Sequence, residues 1–167
     1  MKIETDRLQI MEFTMDMIED VHKNSLDEDN RRFVPDEAFE TIEDAKETVE
    51  YLMAQYNGGE GPFVYPVITK EGQNIGYVQL VEVKEGWELG YHIAKAYTGK
   101  GYATEAVCAF LPYIVKKRNL EQILGICLEE NVASTKVMEK CGFRNIFVGE
   151  GMYQGKTHRI VKNVWKR

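Results

Sequence analysis

Hydrophobic and polar positions alternate from residue 7 to residue 13, with Leu8, Ile10 and Glu12 opposed to Met11 and Phe13. A period of two predicts a first strand. After Thr14, which is placed to cap a helix, Met15, Ile18 and Val21 recur at helical spacing. Asp27-Glu28-Asp29-Asn30-Arg31-Arg32 reads as a solvated charged linker. Thr41-Ile42-Glu43-Asp44 has the capping-box pattern and opens a helix through Ala45, Val49, Leu52, Met53 and Tyr56, which Gly58-Gly59 ends. Alternation then returns, predicting strands over 63–69, 75–83 and 87–94. Their turns fall at Lys70-Glu71-Gly72-Gln73 and Glu85-Gly86, so the three form an antiparallel meander.

The next segment changes period again. Ala103, Ala106, Val107, Phe110, Leu111 and Ile114 make one apolar helical face. Lys116-Lys117-Arg118 complement the C-terminal dipole, and Asn119 suits a left-handed end. Pro112 removes one backbone hydrogen bond and predicts a local bend. A strand over 122–128 follows, and its connection through a helix implies parallel pairing with 87–94. Asn131 caps a short helix with Ala133, Val137, Met138 and Cys141 inward, and Gly142 ends it. Segments 143–149 and 157–165 read as a closing antiparallel pair, with Gly149-Glu150-Gly151 and a longer glycine-bearing turn between. The fold class is therefore α+β (mixed α/β), one domain over 1–167. Its centre is a mostly antiparallel twisted sheet with one parallel strand pair and helices on both faces.

Candidate chemistry gathers where the strand over 87–94 runs into the long helix, at Tyr97-Thr98-Gly99-Lys100-Gly101-Tyr102-Ala103-Thr104. Glycine takes positive φ and lets backbone N–H groups face a ligand without an intervening Cβ. The first N–H groups of a helix lack internal partners, and its dipole favours negative charge there, so this turn is a candidate phosphate cradle. Two glycines in a strand–helix turn also serve steric needs alone. The spacing is neither that of a P-loop nor that of a dinucleotide fold, since no third glycine and no Gly-Lys-Ser/Thr follows.

Thr98-Gly99-Lys100-Gly101-Tyr102-Ala103 resembles the Gln/Arg-x-x-Gly-x-Gly/Ala pyrophosphate loop of the GNAT N-acetyltransferases, with Thr98 in place of the long first side chain. A second motif, Asn131-Val132-Ala133-Ser134 followed by Lys140-Cys141-Gly142-Phe143, is similar to that family's Asn-x-x-Ser…Lys-x-Gly-Phe segment. Its shape alone requires no more than an Asn cap, a Gly terminator and a Phe packing back. The opening Thr5-Asp6-Arg7-Leu8 resembles the Thr-x-Arg-Leu start of the RimJ/RimL-like, ribosomal-protein-alanine N-acetyltransferase type, branch.

This resemblance implies acetyl-CoA as cosubstrate and no metal. Backbone groups of His92, Ile93 and Ala94, at an irregular point of the strand, would meet the pantetheine amides. Thr98, Gly99, Lys100, Gly101, Tyr102, Ala103 and Thr104 would hold the pyrophosphate, Asn131 would contact the pantetheine, and Ser134 would lie near the thioester sulfur. Many relatives carry a Tyr general acid four residues after the Ser. Met138 stands there, and a thioether cannot donate a proton, which leaves Ser134 as the candidate acid. Glu88 and His92 share the strand face opposite Leu89, so the base is Glu88, His92 or a water chain, with solvation or a structural hydrogen bond as the plain alternatives. Tyr97 and Tyr102 read as adenine-side or surface packing. In many relatives the region of the charged linker becomes a lip over the acceptor.

The chain's 167 residues and 44% hydrophobic content are enough for a real core. Net charge of −6 argues against a nucleic-acid surface and suits a cationic partner. No apolar run approaches the ~20 residues of a membrane span, and the charged N-terminus is unlike a signal peptide. Cys108, Cys127 and Cys141, odd in number and in apolar segments, suggest reduced core thiols in a cytoplasm. With His22, His92 and His158 they show no metal-ligand spacing. The expected function is transfer of acetyl from acetyl-CoA to a primary amine by direct attack in a ternary complex. The acceptor is open between a peptide N-terminus, a polyamine and an aminoglycoside-like amine, and the oligomeric state between monomer and homodimer. The alternatives are a non-catalytic acyl-CoA-binding or regulatory protein of the same fold, and a structural domain with a coincidental glycine turn.

Overall fold

A computed structural model describes residues 1–167, the side chain of Pro35 excepted. Alternating segments become strands and amphipathic ones helices, in this order: β1 (Lys2–Glu4), β2 (Leu8–Met11), α1 (Ile18–Ser25), α2 (Glu28–Phe33), α3 (Ile42–Gln55), β3 (Phe63–Thr69), β4 (Asn74–Val83), β5 (Gly86–Ile93), α4 (Tyr102–Arg118), β6 (Gln122–Leu128), α5 (Val132–Lys140), β7 (Arg144–Tyr153) and β8 (Lys156–Lys166). One eight-stranded sheet runs β1-β2-β3-β4-β5-β6-β8-β7. All its pairs are antiparallel except β5–β6.

The apolar face of α4 closes on the sheet as its spacing requires. Ala106, Phe110 and Ile114 are fully buried against Leu8, Ile10, Tyr65, Val78 and Leu89. Met138 of α5 and Phe143 join this layer. On the opposite side Val49 and Leu52 of α3 pack with Phe13 and Val64, and Ile18 and Val21 of α1 cover them. Helices therefore flank both faces. The Thr41 capping box forms as expected, with Thr41 and Asp44 each accepting from the other's backbone N–H. Asn119 ends α4 at φ 51°, and the helix continues through Pro112.

Several local expectations change. The strand expected over 7–13 is β2, and an unpredicted strand, β1, precedes it across the Thr5-Asp6-Arg7 turn and folds back on it, pairing Ile3 with Ile10. Thr14 makes no side-chain cap, and a short 3₁₀ turn precedes α1. The charged linker is α2, because the Asp27 carboxylate accepts from the Asp29 N–H and the segment begins with acids and ends with arginines, matching a helix dipole. Ala133 is exposed, not inward. Gly149 and Gly151 lie within β7, and the turn is Gln154-Gly155, with φ of 49° and 76°. Positive φ at both central residues matches the twist of a two-residue hairpin, which separated glycines do not supply. The thiol expectation also falls for two of the three cysteines. Cys108 on α4 and Cys141 after α5 are joined in a disulfide, Cα–Cα 5.2 Å, since these helices pack together; Cys127 is free and buried.

Candidate active site

β5 is paired with β4 without interruption from Gly86 to Ile93, so the irregular point expected near His92 is absent. The opening comes from its other edge. Parallel β6 meets β5 only at Glu88–Leu124, and beyond that pair Leu89–Ile93 and Ile126-Cys127 face a common cavity of about 950 Å³. A strand edge released from pairing presents backbone donors and acceptors that need partners.

At one end of this cavity lies the glycine turn. Gly99 and Gly101 have φ of 73° and 82°, and space around a Cβ built at Gly99 is empty. The N–H groups from Gly99 to Thr104 donate to no acceptor among the described residues; the first bonded one is Glu105, to the Gly101 carbonyl. The turn is fixed from outside. Arg7 Nε and Nη2 reach the Glu105 carboxylate at 2.7 and 2.6 Å, its Nη1 donates to the Lys100 carbonyl at 2.8 Å, and Thr5 donates to Glu105 at 2.6 Å. Burial raises the Glu105 carboxyl, but the hydrogen bonds from Thr5 and Arg7 outweigh it and hold the group below the usual carboxylate range.

Thr98, Gly99, Gly101, Tyr102, Ala103 and Thr104 line the cavity, with His92, Ile93, Asn131, Glu88 and Ser134. Lys100 and Ala94 do not: Lys100 Nζ donates to the Ala96 carbonyl at 3.3 Å, and the Ala94 N–H to Ile75 at 2.8 Å. The Thr98 hydroxyl closes its own turn on the Lys95 carbonyl. Tyr97 and Tyr102 meet edge to face, centroids 6.2 Å apart, and Arg7 lies over Tyr102.

Asn131 caps α5 by accepting the Ser134 N–H at 3.1 Å, which sets the Ser134 side chain at the cavity wall. Tyr91 Oη donates to Ser134 Oγ at 2.9 Å, leaving the serine proton free to point elsewhere. On the opposite face of β5, burial pushes the Glu88 carboxyl up to about 7; Lys162 opposes this and Glu85 adds to it. His92 is 8% exposed, and burial lowers its pKa despite Asp27 and Asp29 nearby. A buried imidazole kept neutral this way still presents a lone pair.

α2 walls the same cavity through Asp29, Arg32 and Phe33. It is pinned there, since Asp27 accepts the Lys95 N–H and Glu28 pairs with Lys95 at 2.6 Å. Among the lining groups that sequence reasoning missed, three carry the site's hydrogen bonds or raised carboxyls. Glu37 follows α2, and burial raises its carboxyl to about 7 while Gln79 donates to it at 3.2 Å. Tyr91, on the face of β5 that α4 and α5 cover, holds Ser134. Tyr153 donates to the Phe33 carbonyl at 3.0 Å, and burial with the Glu88, Cys127 and Glu37 charges raises its phenol to about 12. Only the parity of Tyr91 opposite Glu88 could have been read locally.

The profile of the family described as acetyltransferase (GNAT) domain matches residues 7–144. The uncharacterized N-acetyltransferase YnaD of Bacillus subtilis is 35% identical over 147 residues, 86% of this chain and 83% of that protein. A GNAT-family acetyltransferase structure from Bacillus anthracis superposes with a TM-score of 0.83 at 29% identity, covering 99% of this chain and 98% of the other. RimL, a ribosomal-protein alpha-N-acetyltransferase solved in complex with coenzyme A, shares the fold at a TM-score of 0.82 and 14% identity, over 99% and 98% of the two chains.

Proposed function

This chain belongs to the GNAT acetyltransferase family, and we propose that it transfers acetyl from acetyl-CoA to a primary amine by direct attack in a ternary complex. The observation that carries the cofactor assignment is the row of undonated N–H groups from Gly99 to Thr104, at a helix N-terminus that opens on the gap between β5 and β6. A pyrophosphate supplies the acceptors those groups lack. The pantetheine arm then follows the free edge of β5, past Asn131, and brings the thioester between Ser134 and Glu88. RimL, which shares this fold, was solved with coenzyme A.

The chemistry follows from the two faces of β5. An amine attacks only when neutral, whereas a free alkyl ammonium has a pKa near ~10. Glu88, poised near 7 by burial, takes that proton directly or through water. The nitrogen lone pair forms the new C–N bond, and a backbone N–H of β5 receives the developing oxyanion. The C–S bond breaks with its electron pair on sulfur. A thiol pKa near ~8.5 makes the thiolate a fair leaving group, so Ser134, held by Tyr91, positions it and donates a proton late.

Mixing the protein with acetyl-CoA and a panel of amines and following free thiol tests this reading. Amine-dependent release is expected. Binding of CoA without release for any amine would favour the non-catalytic alternative.

A further inference from the structure

A second cavity, of about 270 Å³, opens beside the first, between the sheet and helices α1 and α3. Phe13, Val21, Phe39, Leu52 and Val64 supply much of its wall, and among the described residues no Lys or Arg lines it. The two cavities share Glu37, Tyr77, Gln79 and His92, so they meet at those residues. Glycine at position 90 keeps the junction open, since a Cβ there would lie 2.7 Å from the Gln79 side chain, the partner across the strand pair.

The junction has unused polar capacity. Tyr77 Oη and His92 Nε2 are buried without a hydrogen-bond partner among the described residues, their rings 6.1 Å apart. Glu37 accepts from Gln79 through one carboxylate oxygen, which leaves the other. Buried polar atoms without partners are rare and costly. An ammonium has three donors and no acceptor. The Glu37 carboxylate and the Tyr77 phenol oxygen offer it acceptors. His92 Nε2 lies 3.6 Å from Asp27 Oδ2, so its proton turns to that carboxylate and the ring's lone pair is on the other nitrogen.

Building on the acetyltransferase reading, we propose that the acceptor is a small primary amine with an uncharged aromatic or branched-alkyl body. Its ammonium is received at the Glu37–Tyr77–His92 junction and its body fills the apolar cavity. Glu88, four residues along β5 from His92, then takes the proton through water as the neutral nitrogen reaches the thioester. A space of about 150 Å³ suffices for benzene, so this one takes a ring and a short linker. A polyamine would bury a second ammonium in a carbon-lined space, where charge is expensive unless paired. Asp36 is the other acid there, exposed to solvent at the rim. A carboxylate-bearing amine would meet Glu37 and no cation.

The test compares initial rates of CoA release by wild type with 2-phenylethylamine, isoamylamine, spermidine, an aminoglycoside and an alanyl peptide. The two apolar amines are expected to lead by roughly tenfold or more in kcat/KM, the scale on which apolar pockets discriminate. Thr48, which lines the cavity from α3, is then replaced. Thr48→Trp should lower kcat/KM for 2-phenylethylamine about tenfold through KM, with the thermal shift by CoA retained. Glu37→Gln should likewise raise that KM more than it lowers kcat. Preference for spermidine, the aminoglycoside or the peptide overturns the acceptor assignment while leaving the acetyltransferase reading intact. No release with any amine removes that reading instead. The wild-type panel decides the proposal even where a variant fails to fold.

Discussion

Arg7 grips the carboxylate of Glu105 across 98 residues of chain, and Thr5 donates to the same carboxylate. The N-terminal Thr-x-Arg and the first turn of α4 are thus one unit, in which the turn between β1 and β2 holds the candidate phosphate cradle in place. Arg7 is 44% exposed, so the pair adds little to folding, ~0.2–1 kcal/mol after solvent screening. Its effect falls on the turn. Arg7→Met should weaken CoA binding about tenfold, equivalent to ~1.4 kcal/mol, with a much smaller change in unfolding. Isothermal titration with CoA and urea unfolding of the same variant check the split. The sign with pH follows from the lowered Glu105 carboxyl: the clamp is present above the ordinary carboxylate range and is lost as pH falls through the depressed value.

Gly101 stands at φ 82° beside the undonated N–H groups. A β-branched side chain resists that conformation and moves the backbone out of position. Wild type with CoA at ~100 times its dissociation constant gains about 2.7 kcal/mol, roughly 5–10 °C for a domain of this size. Gly101→Val should abolish the shift in a thermal melt. An equal shift in the variant would place the pyrophosphate elsewhere.

Glu88→Gln should lower kcat by roughly 10²-fold, the usual worth of a general base. Because burial raises this carboxyl, wild-type activity should climb as pH passes through about 7, and the loss in the variant should shrink at high pH. The stability sign is opposite. The unfolded chain gives up this proton first, so ionisation of the buried group disfavours the fold as pH rises from the ordinary carboxylate range toward 7, and Glu88→Gln should flatten that dependence. Ser134→Ala should cost about tenfold in kcat, as positioning with late proton donation implies. Full kcat at neutral pH in Glu88→Gln would hand the role to His92 or a water chain.

Phe110 is fully buried between α4 and Tyr65, with centroids 5.4 Å apart. Phe110→Ala should cost roughly 3–5 kcal/mol in urea unfolding. A loss below about 1 kcal/mol would mean that the helix collapses onto the sheet without it.

Local pattern settled much of what depends on neighbours in the chain, though not the Thr14 cap or the Gln154-Gly155 turn. The α4 face, the Thr41 and Asn131 caps, the left-handed Asn119 and the positive-φ glycines of the cradle were all legible, because each follows from the period of side chains or from one residue's backbone preference. Even the single parallel pair was readable, since a helical crossover imposes it.

Contacts between distant segments were not legible. Nothing near Arg7 names Glu105, nothing near Ser134 names Tyr91, and a charged run looks alike as linker or as the pinned helix that walls the cavity. The insertion of β8 between β6 and β7 and the joining of Cys108 to Cys141 also depend on how elements stack. So does the placing of Glu37 beside Gln79, where burial lifts its carboxyl to the same range as Glu88. Side-chain period determines which face of an element turns inward. Which partner it meets there, and how far a carboxylate is taken out of water, are decided only when the sheet brings those faces together.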